Sequence, residues 1–230
     1  MCYFRFSAFS GQKYKLNMEF SRFISLLPQL QTIELPGLSA QLLAVPPERA
    51  ALMEALDLTA LNPKKAAVTI LLYPKKEQMQ LVLIQRNTYA GVHSAQIAFP
   101  GGKIEPTDAH AAAAAFRETE EEIGVPAKQL TFVRSFTELY IPPSNFMVYP
   151  FLAFAEETLQ FLPDPKEVSQ VIEISLHDFI TACPIQILTR ATSYNPEIEV
   201  PCFIIQGHEV WGATAMILCE LKETFKILVQ

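Results

Sequence analysis

Cysteine is scarce and scattered in this chain. Cys2, Cys183, Cys202 and Cys219 form no CxxC pair, and none has a histidine at the spacing of a metal site. The scatter argues against a thiolate metal centre and predicts buried free thiols in a reducing compartment. Basic charge is also short: 18 Lys and Arg against 24 Asp and Glu leave a net charge of -6 at pH 7. A chain of that sign has no general attraction for nucleic acid, so any phosphate it handles needs a cation or a local basic cluster. No apolar run approaches the length of a membrane span, and the opening MCYFRFSAFSGQKYKLNMEF lacks a basic start followed by a long apolar core. The expectation is a cytoplasmic protein with neither a membrane nor a nucleic acid as partner. There is no internal repeat, and the only low-complexity tract is a short run of alanines.

What remains is the composition of a folded protein, 50% hydrophobic and 18% charged. The expected organisation is a segment over residues 1–17 that is either a poorly ordered leader or the product of an upstream start codon, then one domain over 18–230 that begins with a helical extension at about 18–62. The segment EFSRFISLLPQL after Met18 reads as helix, and prolines 28, 36, 46 and 47 divide the front end, with Pro47 opening the helix ERAALMEAL. AAVTILLYP and MQLVLIQR, on either side of PKKEQ, predict a hairpin of buried strands. Further strands are predicted at LTFVRSF, FMVYPFLAFA, VSQVIEI and EVPCFIIQ, and a closing helix at WGATAMILCELKETFKIL. Strands and helices mix without a strict βαβ repeat, which predicts an α/β or α+β fold with a mixed sheet between helices.

The chemistry concentrates after a Gly101-Gly102 pair, read as a turn. From about Ala109 to Ile123 the chain is rich in alanine and glutamate and stops at Gly124, a helix C-cap followed by Pro126. Helical spacing brings Glu118, Glu121 and Glu122 to one face and sends Glu120 elsewhere, while Ala111–Ala115 form a packing face. Such an acidic run is either a solvated face or a cation site. Arg117 before it and the glycine pair upstream favour the site, and oxygen ligands without cysteine or histidine suit Mg²⁺ or Mn²⁺.

These residues resemble a known family. RETEEEIGV, Arg117–Val125, is similar to the REUxEExGU half of the Nudix box, with Gly102 and Asp108 at the places of its upstream glycine and glutamate. Asp108 replaces glutamate, Thr119 stands where an aliphatic residue is usual, and eight residues rather than seven separate Asp108 from Arg117. The longer spacing after FPGGK looks like the coenzyme A diphosphatase branch. LVLIQRNTYAGVHSAQIAFPGG is similar to an extra motif of that branch: Arg86, His93, Gln96 and FPGG match, whereas Gly91 takes the place of an arginine and Ala95 that of a glycine. PDPKEV and WGATAMIL also look like this branch.

The resemblance implies a Nudix-type fold and hydrolysis of a diphosphate linked to another group, coenzyme A or a derivative, with ADP-ribose or another nucleoside diphosphate derivative as the alternative. A fold that binds such a ligand without cleaving it is a further alternative. Glu118, Glu121 and Glu122 are the implied holders of Mg²⁺ or Mn²⁺, with Glu121 either a ligand or the base that takes the proton from water. Gly101 and Gly102 are expected to let the backbone approach the metal and phosphates. Arg117 is read as a bidentate ion-pair partner, structural or catalytic. Glu167 is the candidate acid from a later loop, against an exposed charge. Arg86 and His93 are the candidate substrate contacts, His93 against a merely hydrogen-bonded loop histidine. Arg86 or Lys64-Lys65 are candidates to replace the arginine absent at Gly91. Ser144, Asn145 and Tyr149 line the pocket or pack a turn, and Trp211 is expected to pack the last helix. A homodimer is compatible with the resemblance by analogy.

Overall fold

The computed structural model describes residues 18–54, 61–87, 96–190 and 198–229. The proposed leader and the positions of Gly91, His93 and Ala95 lie outside them. Along the chain come α1 (Phe20–Thr32), α2 (Gly37–Gln41) and α3 (Pro47–Glu54), then the hairpin β1 (Lys64–Lys75) and β2 (Gln78–Arg86). Two short strands follow, β3 (Ile97–Ala98) and β4 (Gly101–Lys103), and then α4 (Ala111–Ile123). The remaining elements are β5 (Thr131–Ser135), β6 (Leu139–Ile141), β7 (Phe146–Phe154), β8 (Val168–Ser175), α5 (Leu176–Ala182), β9 (Gln186–Arg190), β10 (Ile198–Ile205), β11 (His208–Trp211) and α6 (Gly212–Leu228).

β1 is the spine. It pairs antiparallel with β2 across the turn at Lys76-Glu77, whose positive φ angles of 50° and 64° are those of a type I′ turn, built here without glycine. On its other edge β1 runs parallel to β7, from Lys64↔Phe146 to Leu72↔Phe154. The main sheet has the order β3-β2-β1-β7-β5, with β4 added to β1, β6 to β7 and β8 to β2. It is mixed, as expected. A smaller antiparallel sheet, β11-β10-β9, lies beside it in the chain's last third.

Both faces of the spine are covered, which is why β1 reads as an unbroken apolar run. Ile70 and Leu72 join a core with Phe23 and Leu30 of α1, Phe179 of α5, Phe203 of β10 and Leu218, Leu221 and Phe225 of α6. Leu71 and Tyr73 join a second core with Val82, Ile84, Leu159 and Val168, closed by Ile123 at the end of α4. Each such side chain contributes about 1.5–3 kcal/mol through burial. The sheet therefore sits between helices, and the helical front end is part of the core. A polar clamp fixes it: buried Gln41 donates from Nε2 to the buried Glu220 carboxylate at 3.0 Å, and Thr137 Oγ1 donates to the same carboxylate at 2.6 Å.

Two local expectations change, and a third residue takes one of its two expected places. α1 runs through Pro28 instead of being divided by it: the proline is exposed, and Phe23 and Leu30, buried on either side, hold the helix together. Gly101-Gly102 is the start of strand β4, paired Ala67↔Gly102 and Val68↔Gly101, and no turn. Asn145, at φ 51°, ends a short 3₁₀ turn, takes a bond from Tyr140 Oη at 3.0 Å and gives one to Asn62 O, so it packs a turn. No helix among the described residues is long and apolar enough to cross a membrane.

Candidate active site

α4 is held close to β1 by small residues and two hydroxyls. Ala114 and Ala115 are fully buried against Ala67 of β1, as expected of the alanine run. Thr119 Oγ1 and Thr69 Oγ1 lie 2.8 Å apart in hydrogen-bond contact, and each also lies within hydrogen-bond distance of Ala115 O, at 2.7 and 3.1 Å. The helix begins at Ala111, two residues later than expected, and is capped by His110, whose Nδ1 accepts from Ala113 N–H at 3.1 Å. It ends at Gly124, whose φ of 70° is the left-handed cap.

This close seat presses the carboxylates of α4 against β4. Gly101 N–H donates to Glu122 Oε2 at 2.8 Å, and Arg86 Nη1 to Glu122 Oε1 at 3.0 Å. Glu122 is 1% exposed. Burial pushes its carboxyl up to about 7, against the pull of Gly101 N–H and Arg86, and Glu118 and Glu167 push the same way as burial. A Cβ added at Gly102 would lie 2.3 Å from the Glu118 carboxyl, so glycine leaves the space that Glu118 fills. Burial also raises the Glu118 carboxyl, partly offset by Arg117.

Arg117 ties the acidic groups together. Its Nε and Nη2 grip Asp108 bidentately at 2.9 and 3.1 Å, Nη2 also donates to Lys103 O at 3.1 Å, and Nη1 meets Glu118 and Glu121, each at 2.9 Å. The Arg117 bond holds Asp108 below the ordinary carboxylate range. Asp108 Oδ2 in turn accepts from Glu105 N–H at 2.7 Å and closes the loop between β4 and α4.

The structure thus brings Glu118 and Glu122 together beneath Gly101-Gly102, with Glu167 near enough for its charge to act on both. Glu121 stays on the outer side, 56% exposed and held by Arg117. Glu120 points away, as expected, and accepts from Ala127 N–H at 3.0 Å. Among the described residues no group of three or more His, Cys, Asp and Glu side chains stands ready by itself for a metal ion. The donor set nevertheless fits one: two crowded carboxylates, both raised by burial, beside a backbone with no Cβ in the way, suit an ion such as Mg²⁺ or Mn²⁺ that keeps waters and takes further oxygens from a substrate.

Two residues around Glu167 were not singled out from the sequence. Asp164 N–H donates to Glu122 O at 3.0 Å, and its own carbonyl accepts from Glu167 N–H and Val168 N–H at 3.0 and 2.9 Å. Asn87 donates from its backbone to Glu167 O at 2.9 Å and from Nδ2 to Pro165 O at 2.6 Å. The Pro-Asp-Pro run was the available signal, since an aspartate between prolines is turn chemistry.

Comparison with known proteins shows the family. Residues 63–191 match the NUDIX domain family. The chain is 32% identical over 168 residues to the uncharacterized Nudix hydrolase NudL of Escherichia coli (strain K12), covering 70% of this chain and 82% of that protein. It is 31% identical over 169 residues to the protein of the same description from Klebsiella pneumoniae (strain 342), covering 70% and 83%. Among solved structures it is similar to the Nudix hydrolase RenU from M. smegmatis, with a TM-score of 0.49, 18% identity and coverage of 72% of this chain and 87% of that one. With a domain match over more than half of its length and relatives above 30% identity, the chain belongs to the Nudix hydrolases, enzymes that cleave a diphosphate bond.

Proposed function

We propose that this Nudix hydrolase cleaves the diphosphate linkage of coenzyme A or one of its derivatives, giving 4′-phosphopantetheine and adenosine 3′,5′-bisphosphate. The observation that carries the reading is the buried Glu122, held between Gly101 N–H and Arg86 beside Glu118, on a chain that retains FPGGK and PDPKEV. Held by Glu118 and Glu122, with Glu121 as the third carboxylate, Mg²⁺ or Mn²⁺ would neutralise the diphosphate and make a bound water more acidic.

The chain's own residues supply the rest. Gly101 N–H and Arg86 fix the orientation of Glu122, and Arg117 fixes Glu118 from the other side, so both carboxylates are set before substrate arrives. Glu167, or Glu121 on its Arg117 tether, takes the proton from the attacking water. Arg86, paired with Glu122 and partly exposed, is the substrate-phosphate contact in this reading, together with His93. The acidic net charge fits a small-molecule partner in place of nucleic acid, and the reading includes the cytoplasm as its place of action.

The test is turnover of coenzyme A and ADP-ribose side by side with Mg²⁺ and with Mn²⁺. Release of the two coenzyme A fragments is expected. Turnover of ADP-ribose alone would move the assignment to another nucleoside diphosphate derivative, and no turnover of either would refute the coenzyme A reading. Glu122→Gln keeps shape and removes charge, so it should abolish turnover while the protein still folds.

A further inference from the structure

Arg86 and Asn87 are consecutive, and they hold two different sides of the site. Arg86 is paired through its side chain with Glu122, and Asn87 bonds two carbonyls of the segment that bears Glu167. That segment is bonded back to α4, because Asp164 N–H donates to Glu122 O at 3.0 Å and Leu162 N–H to Ile123 O at 2.9 Å. The connections close a ring: Arg86 to the Glu122 carboxylate, the Glu122 backbone to Asp164, Asp164 to Glu167, and Glu167 to Asn87.

The register of β8 on β2 explains why the ring needs Asn87. Pairing runs in step from Gln80↔Ser175 to Gln85↔Gln170, then slips so that Arg86 faces Val168. Ser169 is the extra residue of this bulge, and its Oγ donates to Gln85 O at 3.0 Å. The slip turns Val168 into the core under α4, where it is 3% exposed. Beyond it the ladder has one more rung, Asn87 N–H to Glu167 O, and the Asn87 side chain adds a second tie two residues earlier in that segment, at Pro165 O. Inside the segment Asp164 Oδ1 accepts from Lys166 N–H at 2.8 Å. The stretch from Asp164 to Glu167 is therefore a preformed turn clamped at both ends.

We propose that Asn87 is a positioning residue of this site: through Pro165 and Glu167 it holds the turn so that the Glu167 carboxylate stands opposite Glu118 and Glu122. The proposal rests on the reading that Glu167 serves the reaction. Asn87 itself touches neither substrate nor metal, and its effect passes through the backbone of the turn.

Asn87→Asp is the direct test, since it keeps size and backbone bond and replaces only the Nδ2 donor, leaving a carboxylate facing the Pro165 carbonyl. Hydrogen–deuterium exchange is measured over 164–168 and over α4, with kcat and KM taken on the substrate that the wild type turns over. Exchange at 164–168 should quicken by about tenfold or more while α4 keeps its protection. The kcat should fall by about ten- to a hundredfold with KM within twofold, the signature of a displaced group that acts in the transition state. In a Glu167→Gln background the same substitution should cost less than twofold. Unchanged exchange overturns the tie, and an equal loss of kcat in both backgrounds overturns the route through Glu167. A wild type without turnover refutes the hydrolytic reading above, and exchange at 164–168 then still decides whether Asn87 holds the turn.

Discussion

The two neighbouring glycines of β4 should fail in opposite ways when each is replaced by alanine. At Gly102 the new Cβ would lie 2.3 Å from Glu118 Cδ and Oε2 and 2.6 Å from Oε1, whereas ordinary contact begins at 3.4 Å. The atom in the way is the far end of a flexible side chain, 16% exposed, so the carboxyl moves aside by about 1 Å and the fold survives. The stability cost of such overpacking is about 1 kcal/mol, or a Tm lower by roughly 2–4 °C in a chain of this size. A displacement of about 1 Å in a catalytic group costs about a hundredfold in rate, roughly 2.7 kcal/mol of barrier. At Gly101 the new Cβ would meet Ala67 O at 2.3 Å and Val68 Cα at 2.6 Å, backbone that cannot step aside, at a φ of 151°. That change separates β4 from β1 and should cost about 3 kcal/mol or more. Calorimetric Tm and kcat with Mn²⁺, taken on both variants, decide the matter. If Gly102→Ala keeps kcat within twofold of the wild type, or loses as much stability as Gly101→Ala, then Glu118 is not held in a working position by the absence of that methyl.

Other outcomes follow from the buried polar groups of α4. The Glu122 carboxyl is raised from 4.5 to about 7, so between those values the folded protein keeps a proton that the unfolded chain has released. Stability is greatest below about pH 4.5 for this group and falls as pH rises to about 7, by up to about 3 kcal/mol, then levels off. Denaturant unfolding at several pH values should show that slope in the wild type and a weaker one in Glu122→Gln; equal slopes would refute the assignment. Above pH 7, Mn²⁺ should raise the Tm of the wild type more than that of Glu122→Gln, because only the carboxylate gains a cation. Thr119→Val should cost about 1 kcal/mol and leave kcat unchanged, since Thr69 keeps its bond to Ala115 O; the double change with Thr69→Val should cost less than the two singles summed.

The parts of the fold that were legible in the sequence are those where one physical signal dominates. β1, β2 and α6 carry long apolar patterns, and the cap at Gly124 follows from the left-handed angle its place demands. α5, β9 and β11 are seven, five and four residues long, too short for a period to show against their neighbours. The glycine pair was misread because Gly-Gly commonly marks a turn, whereas here the missing Cβ atoms let a strand lie against Val68 and let Glu118 come under it. The acidic face was legible only in outline. At about 100° per residue, Glu122 lies about 40° to one side of Glu118 and Glu121 about 60° to the other. Spacing alone leaves all three on one broad face. The position of Arg117, four residues before Glu121, divides them by drawing Glu121 outward, while Gly101 N–H and Arg86 draw Glu122 in.

The departures inside the Nudix motif are each met by a local partner in this chain. Asp108 is one methylene shorter than glutamate and stands one residue further from Arg117, yet its two oxygens still take the guanidinium at 2.9 and 3.1 Å. The shorter side chain reaches because the loop is folded back on it, with Glu105 N–H donating to Asp108 Oδ2 and Asp108 N–H to Glu105 O. Thr119 brings a hydroxyl to a buried place where an aliphatic side chain is usual, and Thr69 on β1 supplies the partner that keeps it from being an unsatisfied group. In both cases the compensating residue lies on the frame, in a loop or in β1, and the carboxylates keep their places. The same logic separates the two arginines. Arg117 spends its donors on Asp108, Lys103 O, Glu118 and Glu121 and belongs to the frame, whereas among the described residues Arg86 makes one ion pair, to Glu122, with a quarter of its side chain exposed. In the function proposed above, an arginine paired with one member of a carboxylate pair that calls for a cation is placed to exchange that partner for a phosphate, which would make Arg86 the residue at which substrate and metal loading meet.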